Sequence, residues 1–441
     1  MGRKVSSAQK WLYPGLGVKR WLVVLLAGVT ILGLGFAYLL YGLYTSELIA
    51  RPVWQLLTLA FLPHWARTLS IVLLGLGLVA LAVYQFNRSL LAAFVTPGST
   101  SVVDAVYRHR QRQRGPKVVV LGGGNGLSTL LRGLKTYTDN ITAIVTVADD
   151  GGSSGRLRRE LGVPPPGDFR NCIAALADDE ALTTQLFQYR FPARSAETDA
   201  PGSLDGHSFG NLFITALTNV TGSFERALIE SGRVLAIRGR ILPSTLEDVT
   251  LCAEVAGEAT AGRRVTGESA IPEARRPILR VYLEPGDVPA YPPALRAILD
   301  ADLIIAGPGS LFTSVLPNLL VEDIQRAIRA SSALKLYICN VATQTGETEG
   351  FSVADHVRAL ERHTEPLLFP NVLTNSRVTE NPPTSWNFSQ VVLRESPGSG
   401  YQVIEADVVD EQHPWRHNPD KLVREIMAWY ENASLASSSA A

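Results

Sequence analysis

The chain has 441 residues, 46% of them hydrophobic, with a mean hydropathy of +0.11 and a formal net charge of zero. That length exceeds one typical domain and that hydropathy is too high for an ordinary soluble enzyme, so an apolar segment beside a sizeable globular domain is expected. Zero net charge leaves no global field to recruit nucleic acid, and three widely spaced cysteines, Cys172, Cys252 and Cys339, indicate neither a disulfide framework nor a C-x-x-C zinc site.

The apolar excess lies near the N-terminus. Segment 1–20 carries Arg3, Lys4, Lys10, Lys19 and Arg20; Trp21–Tyr44 is then uncharged throughout, and Thr68–Asn87 is a second uncharged run. At roughly 20 residues or more, each run can cross a hydrocarbon core, which predicts a two-helix transmembrane anchor over 21–87. A cleaved signal peptide competes for the first run, but the run is long for one and a second follows. Arg88, Arg108, Arg110, Arg112 and Arg114 come after the pair. Basic residues on both outer sides place both termini and the main domain in the cytoplasm, on the plasma (inner) membrane. Trp54, Phe61 and Trp65, within Glu47–Arg67, suit a connecting segment in the interface. Residues 88–116 read as a basic juxtamembrane linker whose arginines attract anionic lipid rather than RNA, since no aromatic residues interleave with them.

From Lys117 the pattern is α/β. Short apolar runs at 117–121, 143–148, 302–306 and 335–339 are bounded by Gly, Pro or Asp, as buried parallel strands are, and helical patterns such as Leu320–Ala330 intervene. Val234–Leu283 alternates β-branched residues with charges around Gly257, Gly262 and Gly267, which predicts an antiparallel insertion on the sheet edge. Gln390–Leu393 and Gln402–Val409 are candidate further strands, a helix covers Pro419–Glu431, and 433–441 is expected to be a disordered tail. The predicted architecture over 117–432 is a Rossmann-like, mostly parallel sheet with helices on both faces.

The strand-to-loop transitions carry the candidate chemistry. Gly122, Gly123, Gly124, Asn125 and Gly126 follow the first strand and open a helix, so backbone amides and the positive end of its dipole would meet an anion. No dinucleotide fingerprint fits, because the third glycine would have to stand at Leu127 or Thr129, and no P-loop lysine is present. A tight turn that binds nothing is the plain alternative. After the second strand, Asp149 and Asp150 are placed to share one divalent cation, Mg²⁺ being the natural candidate, that bridges diphosphate oxygens. Otherwise Asp149 caps the next helix and Asp150 is solvated. Gly151, Gly152, Ser153 and Ser154 extend the anion-binding character, and Arg156 either adds charge or lies on an exposed helix face.

Farther along, Pro164–Gly167 is a stiff approach that delivers Asp168, Arg170 and Asn171 to one place, although Asp168 also sits where a helix N-cap would. His207 and Asn211 stand in GHSFGNL, either against a ligand or in structural hydrogen bonds. Gly307, Gly309 and Ser310 form a third strand-to-loop transition ahead of Thr313 and Ser314, and Asn340, Thr343 and Gln344 follow the last core strand. No histidine and carboxylate are spaced as a dyad, so no catalytic residue is assigned.

In order from Lys117 to about Phe351, GGGNGLSTLLRGLK, VTVADDGGSSGRLR, PPPGDFRNCIAAL, GHSFGNLFITAL, GPGSLFTSVLPNLL and NVATQTGETEGF resemble the successive motifs of the YvcK/CofD-like family. Asn125 departs from the commoner GGGTGL form of the first loop. The resemblance implies one of two functions. One is a nucleotide-sugar-binding regulator of the gluconeogenesis-factor type, taking UDP-activated N-acetylglucosamine or glucose and linking carbon metabolism to envelope growth and cell shape. The other is a CofD-like, Mg²⁺-dependent transferase of 2-phospho-L-lactate from a nucleotide-activated donor to a deazaflavin. It also implies that Asp149 and Asp150 are close to the nucleotide, that Asp168 to Asn171 border the substrate side of the cleft, and that His207 contacts ligand. It leaves room for a homodimer and gives no nucleic-acid partner. A nicotinamide-dependent dehydrogenase is disfavoured by the missing third glycine.

Overall fold

The computed structural model describes residues 18–45, 62–92, 111–178, 180–192, 204–257, 262–379, 388–392, 398 and 400–440. The chain divides into two compact units, Met1–Gln111 and Arg112–Ala441.

The N-terminal unit holds two long helices, Val18–Thr45 and His64–Ala92, which contain the two uncharged runs. Apolar side chains on both are exposed, among them Leu32, Leu34, Phe36, Leu73, Leu74 and Leu76. Among the described residues, His64–Leu81 is the one stretch long and apolar enough to cross a membrane by length and composition; the first helix contributes the shorter apolar stretch Ala27–Leu39. The connecting segment with Trp54 and Phe61, the basic Arg3, Lys4 and Lys10, and linker positions 93–110 lie outside the described residues. The hairpin and its interfacial turn therefore rest on sequence alone.

Among the described residues of the second unit there are ten strands: β1 Val118–Gly122, β2 Ile141–Val145, β3 Arg240–Pro243, β4 Thr250–Val255, β5 Arg263–Thr266, β6 Ile278–Glu284, β7 Leu303–Ala306, β8 Leu334–Ile338, β9 Asn371–Asn375 and β10 Gln402–Ala406. Seven form one sheet in the order β10-β9-β8-β7-β1-β2-β3, every neighbouring pair parallel. All residues of β1, β2 and β7 are buried. Successive side chains point to opposite faces, so both faces of this sheet are covered, which is why these strands read as unbroken apolar runs. From β1 the chain steps through β2 to β3; it then returns to the other side of β1 with β7 and steps outward to β10. Because crossovers are right-handed, helices on paths of opposite direction fall on opposite faces.

Several expectations are corrected in detail. The apolar Ile241–Pro243 is not part of an antiparallel insertion: β3 pairs parallel with β2 as the edge of the main sheet. Only β4, β5 and β6 are antiparallel, and they make a separate sheet in the order β5-β4-β6. Its outward charges pair across strands, Arg280 with Glu254 at 2.6 Å and Arg264 with Glu284. Gln390 forms only an isolated bridge with Ala342. The domain begins before Lys117, since Arg112 pairs with Asp139 at 3.3 Å and Asn140 Nδ2 donates to the Gly115 carbonyl at 2.8 Å. Arg112 is thus engaged by the domain rather than free for lipid.

The tail is also corrected, because the last helix runs Pro419–Ala440. Nothing between Asn432 and Ala440 breaks a helix, and alanine favours one. This helix packs on Gly124–Leu134 so closely that a β-carbon at Gly133 would lie 2.5 Å from both the Pro419 carbonyl oxygen and Val423 Cγ2. Gly133→Ala should therefore lower stability by about 1–3 kcal/mol, since overpacking against a backbone carbonyl outweighs the gain of about 0.5–1 kcal/mol from helix propensity. Denaturant unfolding checks this; a variant as stable as the unmodified chain would show that the two helices are not in close contact.

Candidate functional site

The direction of winding reverses between β1 and β7, and in open parallel sheets ligands settle at such a point, outside the carboxyl ends of the strands. A cavity of about 1120 Å³ opens there. Its floor is the loop after β1, with Gly123, Gly124, Asn125 and Gly126, and the loop after β7, with Pro308, Gly309 and Ser310. Helix Gly124–Leu134 starts at the floor with Gly123 as an N-cap that has no side chain to cap it; Asp168 takes the Gly124 amide, which leaves the amides of Asn125 and Gly126 to a ligand.

Glycine is required in these loops for close approach. A β-carbon at Gly126 would lie 2.5 Å from the Pro308 carbonyl oxygen, so this glycine lets the two loops meet rather than clearing space for phosphate. Gly124 has φ +62°, a conformation that glycine tolerates best, and a β-carbon there would lie 3.8 Å from Ser314 Oγ. Gly122 and Gly307 lie behind the floor and do not line the cavity. The Gly122 carbonyl accepts instead from Asn318 Nδ2 at 3.0 Å. Asn340 braces the second loop: its Oδ1 accepts from Gly309 N at 3.3 Å and its Nδ2 donates to the Gly309 carbonyl at 2.8 Å, while Gln344 Nε2 donates to Ser310 Oγ at 2.7 Å.

Adjacent Asp149 and Asp150 do not act as a pair. Both stand in the loop beyond β2, and the structure uses the two differently. Asp149 lines the cavity, and its Oδ1 accepts from Gly151 N at 2.9 Å. Asp150 Oδ1 accepts from the backbone N and Oγ of Ser269, at 2.9 and 2.8 Å, and lines no described cavity. Asp168 takes the second carboxylate's place. It is not the N-cap of its helix, which begins at Gly167 after Pro166. Instead it accepts a hydrogen bond from the Gly124 amide, and a β-carbon at Gly123 would collide with its Oδ2.

These carboxyls share one electrostatic environment. Burial, then the Asp149 charge, pushes Asp168 up to about 7. Burial likewise raises Asp149, with Asp150 adding to it. Glu268, which lines the same cavity, is pushed up to about 8 by burial and by Asp149 and Asp168. Glu347 is pushed up to about 7 by burial; its Oε1 accepts from Thr313 Oγ1 at 3.2 Å, and its Oε2 has no partner. Among the described residues no group of three or more His, Cys, Asp and Glu is arranged to hold a metal by itself.

Ser153, Ser154, Arg170, Asn171 and Asn211 line a second cavity of about 270 Å³ together with Gly151, and Asp149 and Asp168 line both cavities. His207 lines neither cavity. Its Nδ1 is 2.9 Å from Ser153 Oγ, and burial followed by the Arg156 charge keeps its pKa low, so it positions a serine as a neutral ring. Arg156 Nη2 donates to the Asp205 carbonyl at 2.6 Å.

Sequence reasoning missed Glu268, Glu347, Phe388, Trp415, Arg416 and His417. The last four line the first cavity, where Phe388 and Trp415 meet edge to face with centroids 5.8 Å apart. Glu347 falls within the motif NVATQTGETEGF. The others come from segments whose composition carries no such signal.

In the unfolded chain these carboxyls ionise near pH 4, whereas the folded protein holds protons on Asp168, Glu347 and Glu268 to about 7, 7 and 8. The folded state binds more protons across that window, so stability should fall as the pH rises through it. Asp168→Asn should flatten the slope and stabilise the ligand-free protein on the order of 2 kcal/mol near pH 8. Thermal melts of both proteins from about pH 5 to 8 check this; an unchanged slope, or a less stable variant near pH 8, would refute it.

The family model described as 2-phospho-L-lactate transferase CofD matches residues 118–432. A putative gluconeogenesis factor from Nostoc sp. (strain PCC 7120) is 45% identical over 98% of this chain and 94% of its own length. The gluconeogenesis factor of Bacillus subtilis (strain 168) is 51% identical over 59% of this chain and 79% of its own. A crystal structure of a UPF0052 family protein from Bacillus halodurans matches with a TM-score of 0.64 and 45% identity, covering 71% of this chain and 99% of that one. This chain belongs to the CofD/UPF0052 family, as a member of its gluconeogenesis-factor type.

Proposed function

We propose that this protein is a membrane-anchored regulator that binds a nucleotide sugar, UDP-activated N-acetylglucosamine or glucose, and links carbon metabolism to envelope growth. The observation that carries the reading is the cavity of about 1120 Å³ at the reversal of the sheet, with the first-turn amides of Asn125 and Gly126 on its floor and aromatic Phe388 and Trp415 in its lining. The floor suits a diphosphate and the aromatic side suits a ring, which together describe a nucleotide better than a simple anion. The names of the relatives support the gluconeogenesis-factor role.

Magnesium fits Asp149 and Asp168 better than the adjacent pair. Both line the cavity, and the two repel each other's charge, which a cation would relieve. Two carboxylates together with substrate phosphates are a usual Mg²⁺ environment. When bound, the ion would neutralise diphosphate charge. The same carboxylates support a second reading, a CofD-like transferase acting on a nucleotide-activated donor and a deazaflavin, in line with the description of the family model.

Calorimetric titration of the full-length chain with UDP-N-acetylglucosamine, UDP-glucose, GDP and NAD, with and without Mg²⁺, tests the site. UDP-sugars should bind, more tightly with the metal; Gly124→Val should abolish binding, and Asp168→Asn should remove the metal dependence. Preference for GDP, with turnover of a deazaflavin, would establish the transferase instead.

The anchor is a proposal from the two uncharged runs and their basic flanks. It puts Arg112–Ala441 with the cytoplasmic nucleotide pool, and Arg108, Arg110 and Arg114 beside anionic lipid. Protease digestion of inverted and right-side-out vesicles should reach the C-terminus only in the inverted ones. Cleavage from the outside would overturn the topology.

A further inference from the structure

The small antiparallel sheet sends one loop to the larger cavity. β5 ends at Thr266, the Gly267 amide donates to the Leu251 carbonyl at 2.8 Å, and Glu268 then lines the cavity. Gly267 has φ +101°, and a β-carbon there would collide with Asp150 Oδ2, so glycine is what lets the loop turn against the segment after β2. Just past Glu268, Ser269 gives both its backbone N–H and its hydroxyl to Asp150 Oδ1, at 2.9 and 2.8 Å. Farther on, Ile271 is fully buried, and a β-carbon at Gly346 would collide with the Pro272 carbonyl oxygen. Gly346 directly follows Gln344 and Thr345, which line the cavity. The loop is thus fixed on two segments of the main domain, one after β2 and one after β8.

That fixing places a carboxyl which the protein does not use internally. Glu268 has no hydrogen-bond partner among the described residues, and its oxygens, unlike Glu347 Oε2, are not occluded. A β-carbon at Gly151 would lie 3.4 Å from Asp149 Oδ1 and 4.0 Å from Glu268 Oε2, so the two carboxyls face the same turn. Asp149, Asp168, Glu347 and Asp150 all add negative charge around Glu268, which makes this part of the lining a poor place for a bare phosphate. A carboxyl accepts a hydrogen bond from a hydroxyl whether or not it is ionised, and its two oxygens can meet two neighbouring hydroxyls. Held by its loop, Glu268 would meet them with little entropy left to lose.

We infer that Glu268 is a specificity residue that hydrogen-bonds vicinal hydroxyls on the sugar of the ligand, and that Asp150, through Ser269, is the residue that positions it. The small sheet is then the part of the fold that reads the sugar, beside floor amides for the diphosphate and aromatic side chains for the base. Asp150, which lines neither cavity, thereby has a part in the site. The inference rests on the nucleotide-sugar reading.

Calorimetric titration of the full-length chain with UDP-N-acetylglucosamine and with UDP, each with and without Mg²⁺, tests it. The ratio of UDP-N-acetylglucosamine affinity to UDP affinity should fall about tenfold in Glu268→Ala and fall by less in Asp150→Ala, where the loop loses its anchor but keeps the carboxyl. Glu268→Gln, which retains the volume and one acceptor oxygen, should lose less than Glu268→Ala, and it keeps the test valid if the alanine variant fails to fold. A ratio that neither Glu268 variant moves would overturn the assignment. So would an equal loss for both ligands, which puts Glu268 on the ribose, or on the metal if the loss needs Mg²⁺. If the unmodified chain binds UDP-N-acetylglucosamine and only the ratio fails to move, this assignment falls alone; if it binds no UDP-sugar, the nucleotide-sugar reading falls and the assignment with it.

Discussion

The structure depends on one topological constraint: β1 has a parallel neighbour on each side, reached by chain paths running in opposite directions along the sheet. The helix after β1 leads away toward β2, and the chain after β7 leads away toward β8. Neither path passes over the gap between their carboxyl ends, so a crevice remains at the centre of an otherwise covered sheet. The loops on its two sides are where small residues and free amides accumulate.

Close approach of backbones then shapes that crevice. Gly126 lies against Pro308, Gly123 against Asp168 and Gly167 against Ser154. At each contact the space a side chain would fill is already occupied by a carbonyl, carboxylate or hydroxyl from another loop. The glycines in the motifs therefore do more than provide turns. They allow three loops from distant parts of the chain to share one wall, and that wall carries Asp149 and Asp168.

Keeping those carboxyls buried is unfavourable to the empty protein. Asp149, Asp168 and Glu268 all resist ionisation, chiefly through burial and further through the charge of neighbouring carboxylates, Asp150 in the case of Asp149. Groups held this way cluster at functional sites more often than in structural cores. Asp149 and Asp168 line both the larger cavity, with the glycine loops, and the smaller one, with Arg170, Arg190, Asn171 and Asn211.

Local pattern was enough to reveal the parallel core, since strands buried on both faces must be continuous apolar runs, as Val118–Gly122 and Leu303–Ala306 are. The glycine loops, and the expectation that Gly124, Asn125, Asp149, Asp168, Gly309 and Ser310 face a ligand, were also legible, because strand-to-helix turns rich in glycine announce themselves by residue type. What the sequence could not decide was which neighbours in it are neighbours in space. Asp149 and Asp150 are adjacent in the chain but meet different partners, Asp149 the Gly151 amide and Asp150 the distant Ser269. Asp168 joins Asp149 across a loop-to-loop contact, while Glu268 and Trp415 arrive from the small sheet and the C-terminal segment. His207 was legible as a polar residue in a motif, yet only the folded chain shows that it faces Ser153 rather than the cavity. Residue type and period set the local elements; long-range packing, in which each contact depends on all the others, decided which of their side chains meet.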